Sequence, residues 1–204
     1  MRRGFSLMEM MVVMGIVALL IGVSTAGYTR MTKTAEKTRA QELVSNTATA
    51  LTALFNKEGV WPQRLLSEGK SDGRLDERSA YLLAKAGVMS LTTENGKLAG
   101  LDQFGIVTPW AAAIIKGQGR KASLGSKVGS CTVQDHILHF AIDTDGDGII
   151  EGATVGGENL TIRATAAVWC IGKSGGDKGQ PWPYTKGLSR DDVYSWSRDQ
   201  VKKN

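Results

Sequence analysis

Residues 5–27 read FSLMEMMVVMGIVALLIGVSTAG, an almost unbroken apolar run close to the N-terminus. With a rise of about 1.5 Å per residue, a helix of this length crosses a hydrocarbon core of about 30 Å. We therefore expect residues 5–27 to span a membrane. Arg2 and Arg3 stand just before the run. Because positive charge favours the cytoplasmic side, the N-terminus is expected inside and the remaining chain outside.

Glu9 is the one charged residue in this run. An ionised carboxylate at bilayer depth costs about 2.5 to 3.5 kcal/mol on insertion scales, so it needs a compensating positive charge. No Lys or Arg stands between Arg3 and Arg30 in the sequence. The cation that suits Glu9 is the α-amino group of a neighbouring copy, exposed if the chain is cut just before Phe5.

The sequence from Gly4 to Glu9, GFSLME, resembles the prepilin cleavage and methylation motif of type IV pilins and type II secretion pseudopilins. The resemblance implies that a prepilin peptidase cuts after Gly4 and methylates Phe5. It also implies that Glu9 pairs with the N-terminus of the next subunit as the chain and sister pseudopilins assemble into a helical filament. Before assembly, the chain would be held in the bacterial inner membrane by one span, with its head in the periplasm.

Other interpretations of the N-terminus remain open. The run could be a single-pass anchor in which Glu9 is incidental. It could also be a secretory signal peptide, because Ser24, Thr25 and Ala26 form an A-x-A-like cleavage site. The chain would then be an exported calcium-binding domain. A minor pilin for adhesion or DNA uptake would share Glu9, and would differ in its head.

Beyond the run, apolar residues keep a three- and four-residue spacing as far as residue 57, which predicts a helix with one apolar side. Gly59 and Pro62 are expected to end it. We divide the chain into a leader (1–4), a membrane-spanning and filament-core helix (5–27), an amphipathic continuation (28–58) and a head (59–204). The predicted fold class is α+β, with the long helix packed on a small antiparallel sheet.

In the head, residues 79–88 are predicted to form a short helix that ends at Gly87. From about Phe104 onward, the abundance of Gly, Thr, Val and Ile predicts short strands. Residues 132–142 and 159–171 alternate with a period of two, which predicts an antiparallel hairpin.

The head has two cysteines, Cys131 and Cys170. In an exported domain we expect them to form a disulfide, and a pair of free buried thiols is the alternative. A bridge closing a loop this long would stabilise the domain by about 3 to 4 kcal/mol in the chain-entropy model. It would also set the hairpin register, with these residues opposite one another: Cys131 and Cys170, Val133 and Val168, Ile137 and Ala164, Ala141 and Leu160.

Residues 143–148 read DTDGDG and are followed by Glu151. Carboxylates at alternate positions around a glycine turn suit Ca²⁺, which prefers hard oxygen ligands. The loop opens like an EF-hand, but its twelfth position is Thr154 and no flanking helix pair is evident. We therefore expect an isolated structural calcium loop, and a solvated acidic loop is the alternative. The expected ligands are Asp143, Asp145, Asp147 and Glu151.

Residues 172–177 and 191–196 resemble the C-terminal end of major pseudopilins, a group that holds a structural calcium in its final loop. The resemblance implies Asp177 with Asp191 or Asp192 as a second, weaker ligand set, although the insertion at 178–188 departs from the spacing of the group. Residues 56–62, NKEGVWP, also resemble the loop that follows the long helix in major pseudopilins. For these reasons the resemblance favours a secretion system over a pilus.

The formal net charge of +5 is mild, and no basic stripe with interleaved aromatics occurs, so no nucleic-acid partner is expected. Arg120 and Lys121 are interpreted as the solvated end of an element.

No nucleophile elbow or phosphate-binding glycine loop is present in the sequence, and neither cysteine has a plausible histidine base. His136 and His139 would point to opposite faces of the predicted strand and so would not bind one ion together. The sequence therefore favours a structural protein over an enzyme.

Overall fold

The computed structural model describes residues 7–94, 97–100, 102–129, 131–173 and 192–203. The chain divides into two compact units, Met1–Thr38 and Arg39–Asn204. A long N-terminal helix is followed by short helices and small antiparallel sheets. The predicted α+β class is thereby confirmed.

Helix α1, Leu7–Glu58, provides the described part of the first unit and the beginning of the second. It contains no proline, which favours an uninterrupted helix over this length. In the first unit its large apolar side chains are exposed, from Leu7 at 80% to Ile21 at 59%. Among the described residues, no helix is both long enough and apolar enough to cross a membrane.

In the second unit, α1 becomes one-sided, as the sequence predicts. Its buried residues follow a four-three-four-three spacing, which places them on one face of the helix. Gly59, at φ +72°, ends the helix, and its N–H donates to the Phe55 carbonyl over 2.7 Å. The main buried positions are Ala40, Val44, Thr47, Leu51 and Leu54.

In the described residues after α1 there are three shorter helices, α2 (Gln63–Glu68), α3 (Glu77–Lys85) and α4 (Pro109–Gln118). Asp76 caps α3 by accepting from the backbone N–H of Ser79 over 2.9 Å, so the helix begins two residues before the predicted start.

Helix α4 corrects the sequence analysis, which predicted short strands from residue 104 onward. The Thr108 hydroxyl caps the helix by accepting from the N–H of Ala111, and Pro109 occupies the first turn. A threonine cap followed by proline at the first helical position is a known start signal. The cap and the proline therefore favour a helix here, although the wider segment is rich in Gly, Thr, Val and Ile.

The strands of the described residues are β1 Gly73–Arg74, β2 Thr93–Glu94, β3 Lys97–Leu98, β4 Lys127–Val128, β5 Cys131–Thr132, β6 His139–Ile142, β7 Ile150–Val155, β8 Glu158–Ile162, β9 Ala166–Cys170, β10 Val193–Tyr194 and β11 Val201–Lys203. These strands form two larger sheets and two short hairpins. One sheet has the order β1, β6, β9, β10, and the other has the order β11, β8, β7. The hairpins are β2 with β3 and β4 with β5, and the pairings among these strands are antiparallel.

The predicted hairpin register is wrong. Strands β6 and β9 do pair, but His139 faces Trp169 and Ile142 faces Ala166. A separate hairpin of β7 and β8 lies between them in the chain, so β9 begins later than predicted. Residues 132–142 also do not form one strand, because Gln134–His136 is a 3₁₀ turn.

Strands β6 and β9 are buried on both faces. On one face, Phe140 and Val168 join the larger apolar cluster with α1, α2, α3 and α4. On the other face, Ala141 and Trp169 join a smaller cluster with β7 and β8. Because side chains alternate along a strand, two adjacent strands connect the two clusters of the head.

Candidate functional site

The N-terminal site predicted from the sequence lies partly outside the described residues. Gly4 and Phe5, the expected cleavage positions, are not among them. Glu9 is in the first turn of α1 and is exposed, surrounded along the helix by exposed Met and Leu side chains. A carboxylate on an exposed apolar helix is expensive to bury unless a positive group meets it.

The acidic loop connects β6 to β7 and begins at Asp143, whose side chain is buried at 3% exposure. Its Oδ1 accepts from the N–H of Gly146 over 2.8 Å, and its Oδ2 from the N–H of Gly148 over 2.7 Å. The N–H of Asp145 also donates to Oδ1, over 3.2 Å. Gly146 and Gly148 have φ near +80°, a conformation that favours glycine. The loop therefore wraps around one carboxylate.

The same contacts change the acidity of the aspartates. Burial acts to raise the pKa of Asp143, but the hydrogen bonds from Gly148, Gly146 and Asp145 outweigh it, so the pKa is lowered. The pKa of Asp145 is raised by its side-chain hydrogen bond with Asp143 and by the nearby charge of Asp147. The loop thus concentrates negative charge on adjacent side chains.

One oxygen from each of Asp143, Asp145 and Asp147 can lie within 4.8 Å of the others. Two ligands of one Ca²⁺, each about 2.4 Å from the ion, are separated by no more than about twice that distance. The three aspartates therefore fit part of a calcium shell, although Asp143 already accepts three backbone hydrogen bonds. Glu151 is exposed on β7 and is not part of this group.

Of the second predicted ligand set, Asp177 and Asp191 lie outside the described residues. Asp192 is buried, and its Oδ1 accepts from the N–H of Gly172 over 3.0 Å. This hydrogen bond links the chain after β9 to the start of β10. The described contact is therefore a structural one.

The predicted disulfide is not present, and Cys131 and Cys170 are free and buried. Cys131 lies in β5 and faces Val128, whereas Cys170 lies in β9 and faces Val193. Burial, and then the charge of Asp192, raise the pKa of the Cys170 thiol. Since the two cysteines belong to different strand pairs, the shifted register explains why they do not face each other.

Sequence reasoning missed the role of His136. Its ring is buried, and Nδ1 lies 3.1 Å from the Thr108 hydroxyl that caps α4. Burial lowers the pKa of His136 to about 4, against smaller opposing effects from Asp135 and the Val128 backbone. A neutral histidine therefore joins the start of α4 to the turn before β6.

A groove of about 470 Å³ is lined in part by the carboxylates of Glu68, Asp72 and Asp76. Arg64 pairs with Glu68 over 2.9 Å and with Asp76 over 2.8 Å. Asp72 lies 2.6 Å from Nδ1 of His139. These contacts connect α2, β1, α3 and β6, so the groove is built from side chains that hold the head together.

The described chain thus combines a long helix whose first part has exposed apolar side chains, a charged residue in the first turn of that helix, and a small α+β head. Residues 1–25 match the family model for the prokaryotic N-terminal methylation motif. The chain is also similar to two sequences of the type IV major pilin protein PilE1 of Neisseria gonorrhoeae, each 30% identical. The first match covers 94 residues, 45% of this chain and 57% of the relative. The second covers 95 residues, 47% of this chain and 49% of the relative.

The chain thus spans about half the length of the curated relatives it matches. No solved structure matches it. The N-terminal motif, the fold and these relatives support a type IV pilin-like family for this chain. The motif implies that the N-terminal helix is membrane-anchored before assembly and that a prepilin peptidase processes the chain.

Proposed function

We propose that this chain is a structural, non-enzymatic subunit of a type IV pilus-like filament. The observation that carries the proposal is the methylation motif at the start of a helix whose large apolar side chains are exposed. An exposed apolar helix surface of this extent is stable only in lipid or against other helices. Cleavage after Gly4 would release the chain for assembly, with residues 5–27 in the inner membrane beforehand and the head in the periplasm.

Glu9 would guide this assembly. After cleavage before Phe5, it is the fifth residue of the mature chain. In the apolar core of a filament, its carboxylate would pair with the α-amino group of the neighbouring copy, because a buried charge without a partner is strongly destabilising.

The test is Glu9→Ala, compared with Glu42→Ala, an exposed glutamate in the later part of the same helix. Both variants should be processed as the natural chain is, with a mature N-terminus at Phe5. Only Glu9→Ala should be lost from filaments isolated from the cells. Normal incorporation of Glu9→Ala would overturn the proposed pairing, and a mature N-terminus after Ala26 would support the signal-peptide interpretation instead.

Within this class we place the chain in the pseudopilus of a type II secretion system. The support is the likeness of residues 56–62 and of the C-terminal segment to major pseudopilins. A surface pilus is the second candidate, favoured by the two relatives, which are major pilins. Deleting the chain separates the two, because a pseudopilin mutant retains its secreted proteins inside the cell, whereas a pilin mutant loses surface fibres.

We further propose that the acidic loop holds a structural Ca²⁺ through Asp145 and Asp147, with one oxygen of Asp143 nearby. The support is the spacing of the three carboxylates and the raised pKa of Asp145, since a bound cation would relieve the crowding of negative charge. Titration of the full chain with Ca²⁺ should release or absorb heat and raise the melting temperature. Asp145→Asn with Asp147→Asn should abolish both effects, whereas Glu94→Gln should not, and an unchanged melting temperature in the natural chain would contradict the proposal.

A further inference from the structure

The head carries a basic surface at the end of α4. Between Asp102 and Asp135 the sequence has no Asp or Glu. The four basic residues of this stretch lie on α4, the following 3₁₀ turn and β4, and all are exposed. We call them the basic surface: Lys116, Arg120, Lys121 and Lys127.

The next part of the chain has the opposite charge. Residues 128–162 contain six Asp and Glu residues and no Lys or Arg. Three of these acidic residues, Asp145, Asp147 and Glu151, are exposed, and we call them the acidic surface. With one Ca²⁺ in the loop, the carboxylates of Asp143, Asp145, Asp147 and Glu151 would keep a net charge of about −2, because the calcium ion carries two positive charges.

The two surfaces do not satisfy each other within one chain. Among the described residues, no side chain of the basic surface forms an ion pair with Asp145, Asp147 or Glu151. The ion pairs of Arg64 with Glu68 and Asp76 lie elsewhere, around α2 and α3, and so does the contact between Asp72 and His139. Both surfaces are therefore available to another molecule.

We propose that the basic surface of one copy docks against the acidic surface of a second copy of this chain. The proposal rests on the filament role proposed above. A contact between two different surfaces of identical chains is heterologous, and repeating it produces an open helical array when the rotation does not close. Complementary charge of this kind fixes the register of neighbouring heads and excludes wrong partners.

Cysteine cross-linking in the assembled filament tests the contact. One full-length copy would carry Lys121→Cys and a second, differently tagged copy Glu151→Cys, and the cells would produce both. Cys131 and Cys170 are buried and should not react. Oxidation should give a disulfide-linked pair containing both tags, and the pair should disappear when either engineered cysteine is absent.

Charge reversal tests whether electrostatics holds the contact. Arg120→Glu with Lys127→Glu should lower the cross-linked yield about tenfold, because like charges placed opposite each other repel. Adding Asp145→Lys with Asp147→Lys to the other copy should restore most of the yield, whereas Asp145→Asn with Asp147→Asn, which also removes the two proposed calcium ligands but adds no positive charge, should not. The matched control, Lys70→Glu with Lys85→Glu, makes the same change in charge at exposed sites outside the basic surface and should leave the yield unchanged.

Two results would overturn the inference while leaving the filament role intact. In the first, the two cysteine variants assemble into normal filaments but form no cross-link. In the second, the charge reversals lower the yield and the reversed charges on the other copy do not restore it. Cross-links formed only with a different sister subunit would also overturn it, because the proposed partner is a second copy. If the natural chain formed no filament, the proposed function itself would fail first.

Discussion

The indole Nε1 of Trp61 donates a hydrogen bond of 2.6 Å to the backbone carbonyl oxygen of Asp143. Trp61 follows the end of α1, and Asp143 opens the acidic loop 82 residues later. Trp61 is buried and also stacks on Phe55, with ring centroids 4.9 Å apart. The end of the long helix thus holds the first residue of the loop in place.

Trp61→Phe should lower the free energy of unfolding by about 1 to 3 kcal/mol, because the buried Asp143 carbonyl loses its donor. Trp196→Phe is the matched control, since its buried indole N–H has no hydrogen-bond partner among the described residues. Its effect should be smaller, as no hydrogen bond is lost. Urea unfolding of both variants measures the difference, and equal losses would show that ring volume alone matters at Trp61.

Asp143→Asn should destabilise the head by about 1.5 to 3 kcal/mol, since a charged acceptor of several backbone N–H groups is replaced by a neutral one. The lowered pKa of Asp143 gives the natural chain stability that is present above the ordinary value of 3.8 and is lost as pH falls through the folded value. The Asn variant should lack this acid-dependent loss. Unfolding curves at several pH values would measure this difference between the variant and the natural chain. The control is Asp147→Asn, which keeps the Asp143 carboxylate and should still lose stability in acid.

His136 should make the head less stable in acid. Its folded pKa of about 4 lies below its ordinary value of 6.5, so its contribution is present above pH 6.5 and is lost as pH falls towards 4. The full loss is about 3 kcal/mol, from about 1.4 kcal/mol per pKa unit. Unfolding measured between these pH values should show the slope in the natural chain.

A variant pair separates this titration from other acid effects. His136→Phe should remove most of the slope, because no imidazole remains to be protonated. Thr108→Val removes the hydroxyl next to the ring and should lower stability by a similar amount at every pH, leaving the slope in place. A slope that is unchanged in His136→Phe would rule out His136 as its source.

The two cysteines should behave as free, protected thiols. A thiol reagent should label neither Cys131 nor Cys170 in the folded chain, because both are buried and the raised pKa of Cys170 disfavours its thiolate. Both should react after denaturation without reductant. Cys131→Ser and Cys170→Ser should each remove one reactive thiol, and denatured chain with no reactive thiol would indicate the disulfide expected from the sequence.

The sequence alone determined the features that depend on local composition. The apolar run and the three- and four-residue spacing that follows it predicted a long helix, and the buried face from Ala40 to Leu54 follows the predicted spacing. Gly59 ended that helix as expected, because glycine adopts the positive φ found there. The DTDGDG stretch also predicted that Asp143, Asp145 and Asp147 lie together, since loop glycines turn the chain back on itself.

Only the tertiary structure decided which distant segments meet. The β7–β8 hairpin between β6 and β9 set a register in which Cys131 and Cys170 belong to different strand pairs. Several elements pack around His136, and the resulting burial keeps its ring neutral. The same folding brings Trp61 next to Asp143, 82 residues later in the chain. No local sequence pattern encodes either contact. Periodicity specifies which side of a strand is apolar. Which strands pair depends instead on which contacts bury the most apolar surface across the whole chain, and those contacts exist only in the folded head.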